Sequence, residues 1–369
     1  MAEEVWMLQT KKSDFKQIGA RFRIDPVTAR IIRNRGIEGE AAIDRYLNGT
    51  LDDLYDPMLL KDMERAVSIL CEAVDTGKKI RIVGDYDIDG VCSTYILLQA
   101  FERLGSDVDF EIPDRIKDGY GINESIIEQA HADGVEVILT CDNGISAFHQ
   151  VELAKKYGMT VVITDHHEVP LDGEKEKIPP ADAVIDPKQA DCPYPFPEIC
   201  GAVVAYKLVQ VLYARRGVPQ MEWLDLLEFA AIATVGDVMK LQDENRILVK
   251  YGLKKMAQTK NLGLRRLAEK NNLDLGAITA YHIGFVIGPC LNAGGRLKTA
   301  KEALALLRAQ SEEEAERLAE ELKELNDTRK DMTEQGTEAA KLQVESWYQK
   351  DKVLVVFLPE CHESLAGII

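Results

Sequence analysis

The stretch that decides the fold is residues 78–112, KKIRIVGDYDIDGVCSTYILLQAFERLGSDVDFEI. It begins with a short apolar strand over 80–84 and continues through an acidic loop into a helical pattern over 91–104. It ends with a second apolar strand over 108–112. A strand, a helix and a second strand in this order predict a βαβ unit, in which the two strands run parallel.

The same alternation continues downstream of this unit. Helices are predicted over 122–131 and 146–157, and strands over 135–141, 160–164 and 183–185. Repeated units of this kind predict an α/β fold with a parallel sheet. Ligands of such sheets bind beyond the carboxyl ends of the strands, so the residues that directly follow each strand are the first candidates for function.

Both flanks of the sheet region have helical patterns. Ser311 with its following glutamates predicts the capped start of a long charged helix, which we expect to connect two bodies. Residues 352–358 predict a strand of a further domain, and the apolar stretch up to Ile369 indicates that this domain is truncated. We therefore divide the chain into an N-terminal helical region (1–77), an α/β core (78–240), a helical completion of the core (241–310), a long connector helix (311–350) and the beginning of a truncated second domain (351–369).

The composition excludes several classes of protein. The 369 residues are 46% apolar and 29% charged, which is typical of a globular protein of about two to three domains. The longest apolar run, 353–358, is too short to span a bilayer, and residues 1–12 lack the apolar segment of a signal peptide. The seven cysteines contain no Cys-x-x-Cys pair, which argues against a zinc site and predicts reduced thiols in a cytoplasmic protein.

The net charge of −17 argues against a protein that wraps nucleic acid by neutralising its phosphates. It does not exclude a nuclease, because metal ions can bridge a carboxylate-rich site to phosphate. Residues 11–35 contain eight lysines and arginines against two aspartates, a net charge of +6. We interpret this basic stretch as a solvated helical face.

Acidic residues follow three of the predicted strands. The sequence Asp85-Tyr86-Asp87-Ile88-Asp89-Gly90 follows the first strand, Asp142-Asn143-Gly144 the third, and Asp165-His166-His167 the fourth. A parallel sheet brings these residues to one edge, where crowded carboxylates are costly unless they are protonated or bound to cations. Oxygen and imidazole ligands suit manganese, magnesium or iron better than a thiolate-rich zinc site.

These motifs have alternative interpretations. A calcium loop of the EF-hand type would need glutamate at its twelfth position, where this chain has Ile96. Asp89 can cap the following helix or support the site from behind, or it can ligate a cation directly. Asp165 can contact a metal or orient a histidine. The adjacent pair His166 and His167 at a strand end favours a functional role over a structural one.

Three further positions are candidates on weaker patterns. Arg115 lies in the glycine-containing segment 113–121, and Arg296 lies with Asn292 in a glycine-rich turn; a guanidinium can hold phosphate with a fork of donors. Either arginine taken alone is more often a solvated loop residue. Asp237 follows Gly236 at the end of an apolar helix, where an aspartate is usually a cap or a turn residue.

Together with Gly236-Asp237-Val238, these motifs resemble the DHH family of phosphoesterases, and within it the RecJ-type exonucleases, which degrade single-stranded DNA from its 5′ end. The segments 33–37, 60–63 and 291–297 share this resemblance, which covers nearly the whole chain. The first motif, Val83-Gly84-Asp85-Tyr86-Asp87, differs from the His-x-x-Pro-Asp-x-Asp form of the small DHH enzymes that act on oligoribonucleotides or signalling dinucleotides. Val83 also stands where some relatives have a histidine.

The resemblance implies two divalent metal ions, Mn²⁺ in preference to Mg²⁺. It places Asp85 and Asp142 on one ion, and on the other Asp87, Asp142, His166 and Asp237. It implies catalytic roles for His167, which would contact the scissile phosphate, and for Asp142 and Asp165. It assigns the substrate phosphates to Arg115, Arg296 and Asn292, with Arg115 at a terminal 5′-phosphate.

The resemblance also implies a 5′→3′ exonuclease of DNA repair and recombination that hydrolyses single-stranded DNA with a metal-activated water. The partners that it implies are single-stranded DNA, a single-strand-binding protein and a helicase. Two alternatives stay open: a phosphodiesterase for short RNA or cyclic dinucleotides, and a non-catalytic RecJ-like replication scaffold. The scaffold reading is disfavoured because every matched acid and both adjacent histidines are present.

Overall fold

The computed structural model describes residue 7 and residues 11–347 and 352–369. Most of the first dozen residues, the predicted end of the connector helix at 348–350 and the predicted domain start at 351 lie outside the described residues. None of the described helices combines the length and the apolar character that crossing a membrane requires.

A parallel five-stranded sheet forms the centre of the molecule, which confirms the predicted α/β class. Its strands lie in the order β2-β1-β3-β4-β7. They are β1 (Ile80–Val83), β2 (Val108–Glu111), β3 (Val137–Cys141), β4 (Thr160–Thr164) and β7 (Ala183–Ile185). Between β4 and β7 the chain forms a small antiparallel hairpin of β5 (Leu171–Asp172) and β6 (Lys175–Glu176).

The helices of the N-terminal region and of the sheet region are α1 (Phe15–Phe22), α2 (Pro26–Asn34), α3 (Glu40–Asn48), α4 (Met63–Asp75), α5 (Ile88–Arg103), α6 (Glu124–Ala132) and α7 (Phe148–Lys156). The helices after the sheet are α8 (Gly201–Arg216), α9 (Gln220–Leu224), α10 (Leu227–Gly236), α11 (Asp243–Met256), α12 (Leu262–Lys270), α13 (Ala280–His282), α14 (Gly288–Leu297), α15 (Lys301–Arg308) and α16 (Glu312–Trp347). A π-helical turn, Ile283–Ile287, joins α13 to α14.

The sheet separates two hydrophobic cores, because successive side chains of a strand point to opposite faces. Ile80 and Ile82 of β1 contribute to the larger core, which also contains buried side chains of α5, α8 and α10. Val83 of the same strand belongs to the smaller core, which is covered by α6 and α7. The apolar runs of α5, α8 and α10 are explained by this arrangement, since helices packed between other elements bury side chains on most sides.

The strand order reverses between β1 and β3. From β1 the chain crosses to β2 on one side, and then returns to β3 on the other side. Such a reversal opens a crevice at the carboxyl ends of the two strands, where α/β proteins bind ligands. The backbone N–H groups of Asp142 and Asp165 bond to the carbonyls of Thr164 and Ile185, at 3.0 Å each, so the strand-end residues lie side by side at this edge.

Two local predictions were wrong. Helix α5 begins at Ile88 and not at Val91, because Asp87 is its N-cap. The part of the chain described over 352–362 contains no strand, although 352–358 has a strand-like pattern; its exposed apolar side chains pair with no neighbouring strand. A 3₁₀ segment, Glu363–Ile368, follows and buries Leu365. The long helix predicted from Ser311 is present as α16, and its first half packs on the core through Ala315, Leu318 and Leu322.

Candidate metal centre

Three carboxylates converge where β1 and β3 end. Asp85 follows β1, Asp142 follows β3, and Asp87 caps α5 by accepting hydrogen bonds from the backbone N–H groups of Asp89 and Gly90 at 2.9 and 3.1 Å. One oxygen each of Asp85, Asp87 and Asp142 lies within 4.8 Å of the others. Asp142 has a left-handed backbone with φ of +61°, a conformation that non-glycine residues rarely adopt outside constrained sites.

A second group lies next to the first and consists of Asp89, His166 and Asp237. The Nε2 atom of His166 lies 3.3 Å from Asp89 Oδ2, 3.0 Å from Asp142 Oδ1 and 3.9 Å from Asp237 Oδ2. Asp237 reaches this place because it is the C-cap of α10. Asp142 therefore stands between the two groups.

Asp89 lies in α5, but it caps a different helix, α8. Its two carboxylate oxygens accept hydrogen bonds from the backbone N–H groups of Gly201 and Ala202, at 2.6 and 2.8 Å, at the start of α8. Gly201 has no room for a side chain, since an added Cβ would lie 2.7 Å from the Cβ of Asp142. The positive end of α8 is thereby held directly against the carboxylates.

His167 also has a ring nitrogen within 4.8 Å of ligand atoms of Asp142 and His166, and it takes part in a hydrogen-bonded set of its own. Its Nδ1 lies 2.7 Å from Asp165 Oδ1, and the second oxygen of Asp165 accepts a hydrogen bond from the Ile145 N–H at 2.8 Å. The Tyr120 hydroxyl lies 3.0 Å from the same ring nitrogen and donates to the carbonyl of Asp142 at 2.7 Å. Both oxygens of Asp165 are therefore used in hydrogen bonds with His167 and with backbone N–H groups. Of its two possible roles, contact with a metal and orientation of a histidine, this arrangement favours the second.

The electrostatics of the site favour bound cations or protons. Burial raises the pKa of Asp85 to about 7, helped by the charge of Asp87, and burial together with Asp89 raises that of Asp237 to about 7. Burial and four neighbouring aspartates raise the pKa of Asp142 well above its usual value. Burial lowers the pKa of His166, which keeps this imidazole in the neutral form that ligates metals.

The pKa values of Asp165 and His167, in contrast, are shifted in the directions that favour the charged form of each side chain. Although burial alone would raise the pKa of Asp165, its hydrogen bond with His167 lowers it. Burial likewise opposes the charge of His167, but the hydrogen bond to Asp165 raises the pKa of this histidine to about 9. This pair is therefore an ion pair at neutral pH, with a positive charge next to the carboxylate groups.

The donor set fits divalent cations. Asp142 Oδ1 is buried and has no hydrogen-bond partner within the described chain, although the His166 ring is close to it. A cation bound to both atoms would satisfy an oxygen and an imidazole nitrogen that approach each other without a hydrogen bond. Carboxylate oxygens with imidazole, and no thiolate, are the ligands expected of manganese or magnesium.

A cavity of about 390 Å³ adjoins Tyr86, the residue between Asp85 and Asp87. Arg115 and Arg296 line it together with Glu363 and Ser364, so its lining contains two guanidinium groups and one carboxylate. The guanidinium of Arg115 lies 4.7 Å from the centre of the Tyr86 ring, and Arg296 donates a hydrogen bond of 2.7 Å to the carbonyl of Ser364. Burial lowers the pKa of Arg296, and the charge of Arg115 lowers it further, so the two cations are close enough to repel each other.

The structure groups Asp87 with Asp85 and Asp142, and it groups Asp89 with His166 and Asp237. Asp87 caps α5 through Oδ1 alone, so the assignment of Asp87 to the ion of His166 and Asp237 stays a prediction. Asn292 does not line the cavity of the two arginines, and its Oδ1 is buried without a partner in the described residues.

Two residues of the site, Tyr120 and Asp186, were not predicted from the sequence. Tyr120 carried no signal beyond its neighbouring glycines. Asp186 directly follows β7, so the rule that selected the other strand ends would have found it. It is fully buried, and burial followed by the charge of Asp165 raises its pKa to about 7. Val83 is buried in the smaller core and contributes only its carbonyl, which accepts a hydrogen bond from Asn143 at 3.0 Å.

Comparisons with known proteins show the family of this chain. Residues 79–234 match the DHH family, N-terminal domain. The chain is 36% identical, over 99% of its length, to the single-stranded-DNA-specific exonuclease RecJ of Bacillus subtilis (strain 168), and 35% identical, over 94%, to RecJ of Escherichia coli (strain K12). It spans 45% of the first relative and 61% of the second.

Solved structures show the same similarity. A crystal structure of exonuclease RecJ bound to manganese is 34% identical, has a TM-score of 0.74, and is matched over 84% of this chain and 76% of that one. RecJ from Thermus thermophilus in complex with Mn²⁺ is 30% identical with a TM-score of 0.79, over 96% of this chain and 49% of that one.

Proposed function

Because the chain belongs to the DHH family, and within it to the RecJ exonucleases, we propose that this protein is a metal-dependent 5′→3′ exonuclease of single-stranded DNA. It hydrolyses phosphodiester bonds during DNA repair and recombination. The observation that carries the proposal is the convergence of five aspartates and His166 at the reversal of the sheet, next to a cavity with two arginines.

Asp85, Asp87 and Asp142 form the first cation site of this proposal, and Asp142, His166 and Asp237 the second, with Asp89 beside them. The relatives solved with Mn²⁺ and with Mg²⁺ support divalent cations at this site. Two such cations, when bound, would supply a water of lowered pKa and stabilise the leaving oxygen of an in-line displacement. Asp142 belongs to both sets of residues that would hold them.

His167 supplies a positive charge to the scissile phosphate. Its ring is held by Asp165 on one nitrogen, and its raised pKa of about 9 keeps it protonated at neutral pH. A fixed imidazolium can donate a hydrogen bond to a phosphate oxygen and hold it in line with the attacking water. The Tyr120 ring also packs edge-to-face on this imidazole and restricts its movement.

Arg115 and Arg296 define the polarity of the reaction. A 5′-terminal phosphate carries more negative charge than an internal one, and two adjacent guanidinium groups are the donors that suit it. The stacking of Arg115 on Tyr86 orients one of them. The cavity thereby holds the 5′ end while the next linkage lies at the carboxylates. Asn292 is retained as a third phosphate-binding candidate.

The proposal extends to the surroundings of the enzyme. All seven cysteines are free thiols, which supports a reducing, cytoplasmic location. Single-stranded DNA is the proposed substrate, and a single-strand-binding protein and a helicase are the proposed partners, since the strand must be exposed before it is degraded. We also propose that the α/β core over 78–240 carries the catalytic residues and that the helices over 241–310 complete it.

The test is hydrolysis by the protein in Mn²⁺ of a single-stranded oligodeoxynucleotide and of a blunt duplex. We expect release of nucleotides from the 5′ end of the single strand alone, and loss of this activity in Asp142→Ala but not in Asp172→Ala, an exposed aspartate of β5. Faster hydrolysis of dinucleotides or short RNA would favour the first alternative. No hydrolysis of any of these substrates would favour the scaffold.

A further inference from the structure

Two aromatic side chains on the turn before α14 are stacked on each other and face solvent. The rings of Tyr281 and Phe285 have centroids 4.8 Å apart and planes inclined by 28°. Their exposed fractions are 63% and 68%. Aromatic side chains are usually stabilised by burial, and these two adjacent rings are exposed to water. We therefore expect this surface to bind a ligand.

The backbone that carries the pair is irregular. Tyr281 belongs to α13 and Phe285 to the π-helical turn that joins α13 to α14. Insertions of this kind in a helix are rare, and they occur frequently at functional sites. The turn places both rings on one side of the helix.

The helical segment that carries the pair lies against the elements of the metal centre. A Cβ at Gly284, between the two aromatic residues, would lie 3.7 Å from Val235, at the end of the helix that Asp237 caps. A Cβ at Gly288, which follows the turn, would lie 3.4 Å from the side chain of Ile88, the residue between Asp87 and Asp89. The helix with the aromatic pair therefore packs on the two segments that carry the carboxylates.

We propose that Tyr281 and Phe285 form a stacking platform for the bases of the strand that continues from the metal centre, an inference that rests on the function proposed above. Aromatic faces bind every base with little regard to sequence, and one stacked base is worth about 1–3 kcal/mol. The bases of a duplex are already stacked and paired, so the platform selects single strands.

The charge of the protein supports this role. At a net charge of −17 the chain gains little from phosphate neutralisation, which supplies most of the affinity of basic DNA-binding proteins. Stacking energy does not depend on that charge balance. An acidic exonuclease can therefore hold its substrate through cations at the carboxylates and through base stacking beyond them.

The experiment measures the affinity of the protein for a 5′-phosphorylated oligodeoxynucleotide whose first linkages are phosphorothioates, which slow hydrolysis, in Mn²⁺. The strand carries 2-aminopurine, whose fluorescence reports stacking. We expect Tyr281→Ala with Phe285→Ala to weaken binding by about 10- to 100-fold and to alter the fluorescence of the bound base. Tyr281→Phe keeps the ring and should bind as the wild type does.

Two controls make the result specific. Tyr157→Ala removes an exposed tyrosine that stacks on His131 at the far end of α7, and it should leave binding unchanged. An oligonucleotide with abasic sites should bind the wild type weakly and be insensitive to the loss of the aromatic pair. The variants remove exposed side chains, and their unfolding temperatures report whether the fold is intact.

The outcomes separate this inference from the proposed function. Wild-type hydrolysis of single-stranded DNA together with unchanged affinity in the double variant would overturn the platform alone. A wild type that neither binds nor cleaves single strands would overturn both. A change of oligomeric state in the double variant, with DNA binding intact, would identify the aromatic pair as a protein interface and overturn the platform.

Discussion

The carboxylate of Asp89 accepts a hydrogen bond of 2.6 Å from the backbone N–H of Gly201, so that a residue in the first turn of α5 caps the start of α8. Asp87 caps α5 itself. The positive ends of two helices are thus directed at the same group of carboxylates, and each helix end favours negative charge beside it. The two caps fix the positions of these anions independently of any bound ion.

Gly201→Ala should damage the metal centre more than the fold. The added methyl group would lie 2.7 Å from the Cβ and 2.8 Å from Oδ1 of Asp142, so the carboxylate or the start of α8 must shift. We expect affinity for Mn²⁺ to fall by about 10- to 100-fold, as measured by calorimetric titration. The free energy of unfolding should fall by about 1–3 kcal/mol.

Gly217→Ala is the matched control for this variant. Gly217 ends the same helix with φ of +66°, and an added Cβ would meet no atom there. Alanine in this conformation costs about 1–2 kcal/mol of stability. Its affinity for Mn²⁺ should equal that of the wild type, and an equal loss of affinity in both variants would show that the effect is one of general stability.

Addition of Mn²⁺ should raise the unfolding temperature, and more so as the pH rises. The pKa values of Asp85 and Asp237 are raised to about 7 without metal, so the folded chain binds protons more tightly than the unfolded one. Stability without metal is therefore lost as the pH rises from about 4 to about 7. Cations compete with these protons, so the gain should be larger near pH 8 than near pH 6.

Asp142→Asn should remove this effect of the metal, because the neutral amide is a poor ligand at the point shared by both groups. Without metal, the variant should unfold at no lower temperature than the wild type, because it loses a buried charge among four others. Asp172→Asn, at an exposed carboxylate of β5, should respond to Mn²⁺ as the wild type does. A full thermal shift in Asp142→Asn would contradict the assignment.

The residues of the site that directly follow a strand could be predicted from the sequence. Asp85, Asp142 and Asp165 follow parallel strands, and the geometry of the sheet alone brings them to one edge. The hydrogen bond between Asp89 and Gly201 could not be predicted, because Gly201 is more than a hundred residues away and only tertiary packing brings the two together. Tyr120 was missed for the same reason, since its contact with Asp142 joins a loop to a strand end.

The fold had the same limits. The alternation of apolar strand and helix patterns predicts the sheet, because the spacing of apolar residues differs between strands and helices and can be seen in the sequence. The strand-like pattern over 352–358 led to an error, since an apolar run forms a strand only where a neighbouring strand is available for hydrogen bonds. Local pattern therefore predicts the propensity of a segment but not its pairing.

Asp165→Asn should lower the pKa of His167. The raised value of about 9 depends on the carboxylate that lies 2.7 Å from Nδ1, and burial opposes the charge of the ring. Once this carboxylate is neutral, its hydrogen bond and its charge no longer oppose burial, so the pKa of His167 should fall from its raised value, although Asp89 and Asp237 still raise it. NMR titration of the metal-free protein measures this shift. The ring signals of His149, which pairs with Glu124, should coincide in the two proteins.

Glu228→Gln should change how stability depends on pH. Glu228 is only 3% exposed, and burial raises its pKa to about 7, although Thr259 donates a hydrogen bond of 2.7 Å to it. The folded chain therefore binds this proton more tightly than the unfolded chain. Its stabilisation is complete below about pH 4.5 and is lost as the pH rises to about 7, a change of at most roughly 3 kcal/mol.

Urea unfolding between about pH 4.5 and pH 8 measures this contribution. The glutamine variant should show a smaller decline in the free energy of unfolding than the wild type, because its side chain stays neutral throughout. The comparison removes the contributions of Asp85, Asp186 and Asp237, which decline in the same direction in both proteins. Glu128→Gln, at an exposed position of α6, should follow the wild-type curve, and identical slopes in all three proteins would mean that Glu228 does not titrate in this range.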